Sequence, residues 1–168
     1  EYFADEVGPS FISEIFSLWY SKDMFEEAGV PFPPATTDSA WTWDEFVEAA
    51  IKLTKDNNGK HPNEEGFDAR NIKQFGVNAG LGELGWLPFA ISNGGGFVSE
   101  DGKQLLLDHP KTIEAIQNVA DLMNKHHVMP TMAQRKSVPG ADTAFLTKQV
   151  AMSIDGTWSL LWLGKAVQ

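Results

Sequence analysis

The 168-residue chain contains no cysteine. Disulfide staples, thiolate nucleophiles and cysteine-ligated zinc are therefore all excluded, although the absence chooses no compartment. No apolar run approaches the roughly 18 residues of a membrane-spanning helix, and the first residues carry no charged-then-apolar leader. Glu1 stands where an initiator would be, so a processed or excised chain is expected, with any export signal lost with the rest. Positive charge is also short: 13 Lys and Arg stand against 23 Asp and Glu, for a formal net charge of −10. Such a surface repels polyanions, which argues against nucleic acid as a partner. Tyrosine is scarce, with 2 residues beside 11 Phe and 6 Trp. Because a buried indole N–H needs a partner, that many tryptophans raise the expectation of a stacking site.

What is present is ordinary globular composition, 42% hydrophobic and 21% charged, enough for one domain with a real core. Phe11 to Tyr20 reads as a strand, and Lys22 to Ala28 as a short helix ended by Gly29. Val30 to Ala40 is a Pro- and Thr-rich loop. Thr42-Trp43-Asp44-Glu45 is a capping box that opens a helix to about Lys55, with Phe46, Val47, Ala50, Ile51 and Thr54 facing inward. Asp56 to Asn71 reads as polar loop, Ile72 to Ala79 as a strand and Leu84 to Ser92 as a helix. Phe97 to Leu107 reads as a hairpin turning at Asp101-Gly102. Asp108 is expected to cap a long helix with Pro110 in its first turn and Ile113, Ile116, Gln117, Ala120 and Met123 buried. Val128 to Pro139 reads as loop, Ala141 to Thr147 as a short helix, Val150 to Ile154 as a strand, and Thr157 to about Leu163 as a final helix. Alternating strands and helices predict an α/β class with one mixed sheet flanked by helices, in a single domain over 1–168.

Two strand-to-helix corners carry the chemistry. At Asp155-Gly156-Thr157-Trp158 an acidic acceptor, backbone N–H groups and an indole face meet. Those are the parts that hold a neutral polyhydroxylated ligand, whose hydroxyls want charged acceptors and whose C–H faces want an aromatic ring. The plainer reading is a helix-capping turn with Trp158 in the core, and the two readings balance. Asn78 to Trp86 repeats the design with a Gly-rich loop, Glu83 and Trp86, beyond the carboxyl end of a strand. Its glycines also fit tight turns alone, and no phosphate-loop spacing follows them.

Other constellations favour structure over function. Asn93-Gly94-Gly95-Gly96 fits a helix end with a close backbone approach. Asp56-Asn57-Asn58-Gly59 fails the calcium-loop pattern, since His61 and Phe67 stand at the sixth and twelfth loop positions. His126 and His127 are adjacent, so they form no helical metal clamp. No metal ligand set and no cofactor motif emerges. Glu83 and Asp155 remain open as the carboxylate pair of a glycoside-acting enzyme, which would need them at about 5–10 Å.

Six segments, taken in order, resemble the bacterial extracellular solute-binding proteins of ABC sugar importers, the maltose-binding-like group. Leu18 to Gly29 is similar to that family's "YYNKDLFEKAG" and Thr42 to Ala50 to its "TWDEFLEAA". Gly66 to Asp68 with Ile72 to Gly76, Asn93 to Gly96, the helix after Asp108, and Phe145 to Met152 with Gly156 and Trp158 follow. The resemblance covers about residues 12 to 165. It implies a non-catalytic receptor with a type II periplasmic-binding-protein fold, extracellular and either periplasmic or anchored as a lipoprotein. Its partners would be a sugar or oligosaccharide and the permease subunits of the transporter. It also implies that this chain is the second of two lobes, the first being absent. On this resemblance Trp158 stacks a sugar ring, Trp86 and Glu83 line the cleft, and Asp155 and Gly156 are further contacts.

Overall fold

The computed structural model describes residues 15–80, 82–139 and 141–161. Its centre is a four-stranded mixed sheet in the order β1-β4-β3-β2. The strands are β1 Phe16–Tyr20, β2 Lys55–Asp56, β3 Ile72–Ala79 and β4 Val150–Gly156. The helices are α1 Lys22–Ala28, α2 Trp43–Leu53, α3 Glu83–Ser92, α4 Pro110–Asn124 and α5 Ala141–Leu146. The α/β class with one mixed sheet is thus as the sequence predicts. The part of the first expected strand over 11–14 lies outside the described residues, as does the end of the last expected helix.

Pairing follows from connection length. β3 and β4 are joined by a long excursion that carries α3, α4 and α5, and they run parallel, with Ala79 opposite Ile154 and Val77 opposite Met152. β1 lies antiparallel to β4, from Phe16 opposite Gly156 to Tyr20 opposite Met152. β2 is a short antiparallel edge on β3, inside a stretch whose sequence reads mostly as loop. Its brevity has a local cause. The buried Asp56 carboxylate accepts from the backbone N–H groups of Asn58 at 2.8 Å, Lys60 at 2.9 Å and Asp68 at 3.0 Å, folding the chain into turns. That engages its oxygens in the protein's own backbone.

The helix signals operate as expected. Gly29 ends α1 in the left-handed conformation with φ of 63°. The capping box of α2 is complete: Glu45 N–H donates to Thr42 Oγ1 at 3.3 Å, and Thr42 N–H donates to Glu45 Oε2 at 2.7 Å. Phe46, Val47, Ala49, Ala50 and Leu53 of α2 are buried with Met24, Phe25, Val77, Leu122, Met129 and Met152 in the main core. Each large apolar side chain so buried contributes about 1.5–3 kcal/mol. A smaller cluster joins Phe75, Ala144 and Val150. The α2–β3 contact is close: a Cβ on Gly76 would stand 2.1 Å from the Ala50 carbonyl oxygen. Thr54 links them, donating to Ala50 O and accepting from Gly76 N–H, each at 2.8 Å.

Helix α4 departs from the expectation. Pro110 occupies its first position, which makes His109, not Asp108, the cap; His109 Nδ1 accepts from Lys111 N–H at 3.3 Å. The buried face is Thr112, Ala115, Val119 and Leu122, while Ile113 and Ile116 are exposed. The reason is a backbone lock. A Cβ on Gly95 would stand 2.5 Å from Thr112 Oγ1, and that hydroxyl both accepts from Gly96 N–H at 3.0 Å and donates to Gly96 O at 3.1 Å. The polar Thr112 is pulled inward by hydrogen bonding, and Ala115 lets the elements approach. The reading of the Gly94–Gly96 run as structural is supported by this contact. The expected hairpin reduces to one bridge, Val98 to Leu105, with Gly102 at φ 71° in the turn.

Candidate functional site

Because β3 and β4 are parallel neighbours with Ala79 opposite Ile154, their carboxyl ends emerge side by side. The two corners singled out in the sequence therefore sit at the same end of the sheet. Alternation along the strands also puts Asn78, Ser153 and Asp155 on one side of it, with Trp19 opposite Ser153 and Ser17 opposite Asp155. The result is a polar row beside aromatic rings at the end of the sheet where α/β folds place ligands.

Asp155 shapes the second corner. Its Oδ1 accepts from Gly156 N–H at 2.8 Å and its Oδ2 from the Ser159 hydroxyl at 2.7 Å. These bonds brace the entry to the 3-10 turn Thr157–Ser159, whose N-cap is Gly156 and which replaces the first part of the expected helix. Asp155 and Gly156 thus form the tight entry of the plainer reading, although among the described residues no side-chain cap bond is made to the turn's own N–H groups. That role does not exhaust the group, since an ionised carboxylate offers about four lone-pair sites and two are engaged here. The Asp155 carbonyl accepts from Trp19 Nε1 at 3.1 Å, which ties the corner to β1.

Trp158 is half-buried. Its ring meets Phe16 edge to face, with centroids 5.2 Å apart at 82°, a favoured aromatic geometry. Its six-membered ring also lies against Gly156, where a Cβ would come within 2.2 Å of Cζ3. Gly156 is buried and serves as the floor on which the indole rests.

The first corner is tightly wound. A Cβ on Gly85 would stand 1.6 Å from the Gly80 carbonyl oxygen, and Gly85 N–H donates to Gly82 O at 2.9 Å. The glycines here allow the chain to close on itself as α3 begins. The side chain of Glu83 lies outside the described residues; its backbone starts α3. Trp86 is half-buried and packs against the main core. The structure thus gathers Asp155, Gly156 and Trp158 in one contact group, and sets Trp86 one helical turn into α3 with much of its ring turned inward.

Arg135 is a residue that the sequence reading passed over. Its Nη1 donates to Asn78 Oδ1 at 2.9 Å and its Nη2 to the Ala79 carbonyl at 2.8 Å. Its Nε is buried and has no partner among the described residues. Burial holds the guanidinium below its ordinary pKa, which leaves it charged at neutral pH. It belongs to the 3-10 turn Gln134–Lys136. Thr131 N–H and Oγ1 both donate to Gln134 Oε1, at 3.0 and 2.9 Å, and Gln134 Nε2 reaches Ala69 O at 2.8 Å. Thr131-Met132-Ala133-Gln134 is a capping-box pattern, a signal present in a stretch otherwise read as loop.

A separate groove of about 1240 Å³ is lined by Phe16, Leu18, Tyr20, Trp41, Trp43 and Phe89, among others. None of Asp155, Trp158 or Trp86 lines it. It meets the candidate corner through Phe16, Ser17 and Ile154, and its lining mixes aromatic rings with polar side chains such as Thr42, Asn93 and Asn118.

Solved structures align over most of the chain. One is an ABC substrate-binding protein from Listeria monocytogenes in complex with cycloalternan, 28% identical with a TM-score of 0.66, covering 86% of this chain and 32% of that one. Another is an ABC transporter solute-binding protein from Thermotoga lettingae bound with alpha-D-tagatose, 26% identical with a TM-score of 0.68, covering 91% and 36%. A third is UspC from Mycobacterium tuberculosis, 26% identical with a TM-score of 0.69, covering 89% and 38%. The chain spans about a third of the length of these relatives. The model of the bacterial extracellular solute-binding protein family matches residues 2–166. This chain therefore belongs to the bacterial extracellular solute-binding protein family.

Proposed function

We propose that this chain forms one wall of a cleft that binds a sugar or oligosaccharide for delivery to an ABC importer. The observation that carries the reading is the juxtaposition of the two corners at the carboxyl ends of the adjacent parallel strands β3 and β4. It gains support from relatives of 26% identity or more that hold alpha-D-tagatose or cycloalternan. Trp158 offers an indole platform, with Asp155 as a hydroxyl acceptor through the lone pairs its own turn leaves open and Gly156 as the floor under the ring. The Gly80–Glu83 turn supplies the neighbouring edge, with Glu83 as its acceptor. Trp86 contributes from the outward part of its ring and otherwise braces that turn.

On this reading residues 1–168 are the second lobe, and further chain supplies the opposite wall. The one-third coverage of the solved relatives fits that division. Closure of two lobes on a ligand is a hinge motion driven by contacts made in both, so one lobe alone binds weakly. Membrane permease subunits are the downstream partner, and the protein works outside the cytoplasm, periplasmic or held at the membrane. Titration of the complete two-lobed protein and its Trp158→Ala variant with maltotriose, tagatose and other sugars tests the assignment. Equal affinity in the two proteins would remove Trp158 from the site.

The glycoside-acting alternative through Glu83 and Asp155 has less support. Both Asp155 oxygens already accept within their own turn, from Gly156 N–H and the Ser159 hydroxyl, and the family matched is one of solute-binding proteins. Absence of aryl-glycoside turnover agrees with binding alone; turnover abolished by Glu83→Gln would restore the enzyme.

A further inference from the structure

The guanidinium of Arg135 is the joint between two parts of the fold that the sequence leaves unconnected. One is the loop that follows α4, fixed at its base by Gln134 on Ala69 O. The other is the last turn of β3, where the chain leaves the sheet for the Gly80–Glu83 corner. Arg135 grips it at two consecutive residues, through the Asn78 side chain and the Ala79 carbonyl. A planar fork bound at two points restrains orientation as well as distance, which a lysine ammonium does not do. Asn78 stands opposite Ser153, two residues before Asp155. The same grip therefore orients an amide in the polar row that the two corners share.

We infer that Arg135 is a positioning residue for the ligand corner: it sets the rotamer of Asn78 and the direction in which the chain leaves β3, so that Gly80 and the backbone that opens α3 are held ready for the ligand. The inference rests on the proposed sugar-binding reading for its functional part, but its structural part stands apart. A preorganised corner pays no ordering cost when the ligand arrives, so loss of the grip is read as weaker binding without loss of the fold.

The experiment compares wild type with Arg135→Lys, Arg135→Ala, Asn78→Asp and Asn78→Leu. Amide hydrogen exchange and thermal unfolding are measured on the 168-residue chain. Titration with maltotriose and tagatose is measured on the complete two-lobed protein. The expected result is faster exchange at Gly80, Gly82 and Gly85 in Arg135→Lys, Arg135→Ala and Asn78→Leu, with α2 and α4 unchanged. Asn78→Asp keeps an acceptor for Nη1 and retains protection. Sugar affinity falls by about tenfold to a hundredfold in the variants that lose protection, the scale of a charged hydrogen bond. Unchanged exchange at the corner in Arg135→Lys and Asn78→Leu overturns the inference whether or not sugar binds. So does wild-type affinity in variants that have lost protection, or restoration by Lys, which would reduce Arg135 to a charge. Wild-type protein that binds no sugar while the corner still loosens would instead sink the sugar reading and with it the functional part of the inference.

Discussion

The six-membered ring of Trp158 lies so close to Gly156 that a Cβ there would stand 2.2 Å from Cζ3, 2.3 Å from Cη2 and 2.4 Å from Cε3. Gly156 is thus the only kind of residue that leaves the indole where it is. Gly156→Ala is expected to displace the ring from Phe16. The Trp158 indole N–H resonance should move, and sugar affinity in the two-lobed protein should fall with it. An unmoved resonance would show that the indole does not rest on Gly156.

At the other corner the constraint is backbone against backbone. A Cβ on Gly85 would meet the Gly80 carbonyl oxygen at 1.6 Å, and neither atom can rotate away as a side chain would. Gly85→Ala is expected to cost about 1–3 kcal/mol, the range for overpacking. A urea midpoint equal to wild type would mean that the turn opens freely.

Thr42→Ala removes the side-chain half of the α2 capping box. The expected loss is about 1 kcal/mol, seen as a lower denaturation midpoint with an unchanged slope. An unchanged midpoint would mean that the exposed end of α2 does not contribute to global stability.

Asp56 makes the fold acid-sensitive. Burial works to raise its pKa, but the backbone N–H groups of Asp68, Lys60 and Asn58 outweigh that and hold it below the ordinary aspartate value. A depressed folded-state pKa means stability that is fully present above the unfolded-state value and lost as pH falls through the folded one. Asp56→Asn should therefore be less stable than wild type at pH 7, with the gap narrowing below about pH 4. A gap that stays constant from pH 7 to pH 3 would contradict the ionised role.

Much of the fold was legible because its signals are local. Ile72 to Ala79 is a strand at the expected residues, and the Thr42 box and Gly29 stop mark helix ends through their own hydrogen bonds and φ. The α4 face was not legible, because Ile113 and Ile116 outrank Thr112 and Ala115 on any apolar scale. What buries the smaller pair is the close approach of Gly95 and the two hydrogen bonds of Thr112 with Gly96, both long-range. The Asp155 corner could be located but not resolved between structural turn and site, since one carboxylate has lone pairs enough for both. Arg135 escaped notice because its partners, Asn78 and Ala79, are more than fifty residues away in sequence.

The most direct test of the account is the affinity of the complete two-lobed protein for a panel of neutral sugars, measured by calorimetry beside Trp158→Ala. The account predicts binding of at least one sugar by the wild type and a loss of about tenfold or more in the variant, the scale of an aromatic platform removed from a largely buried ligand. Equal affinity in both proteins, with Trp158→Ala folded as the wild type is, would contradict it.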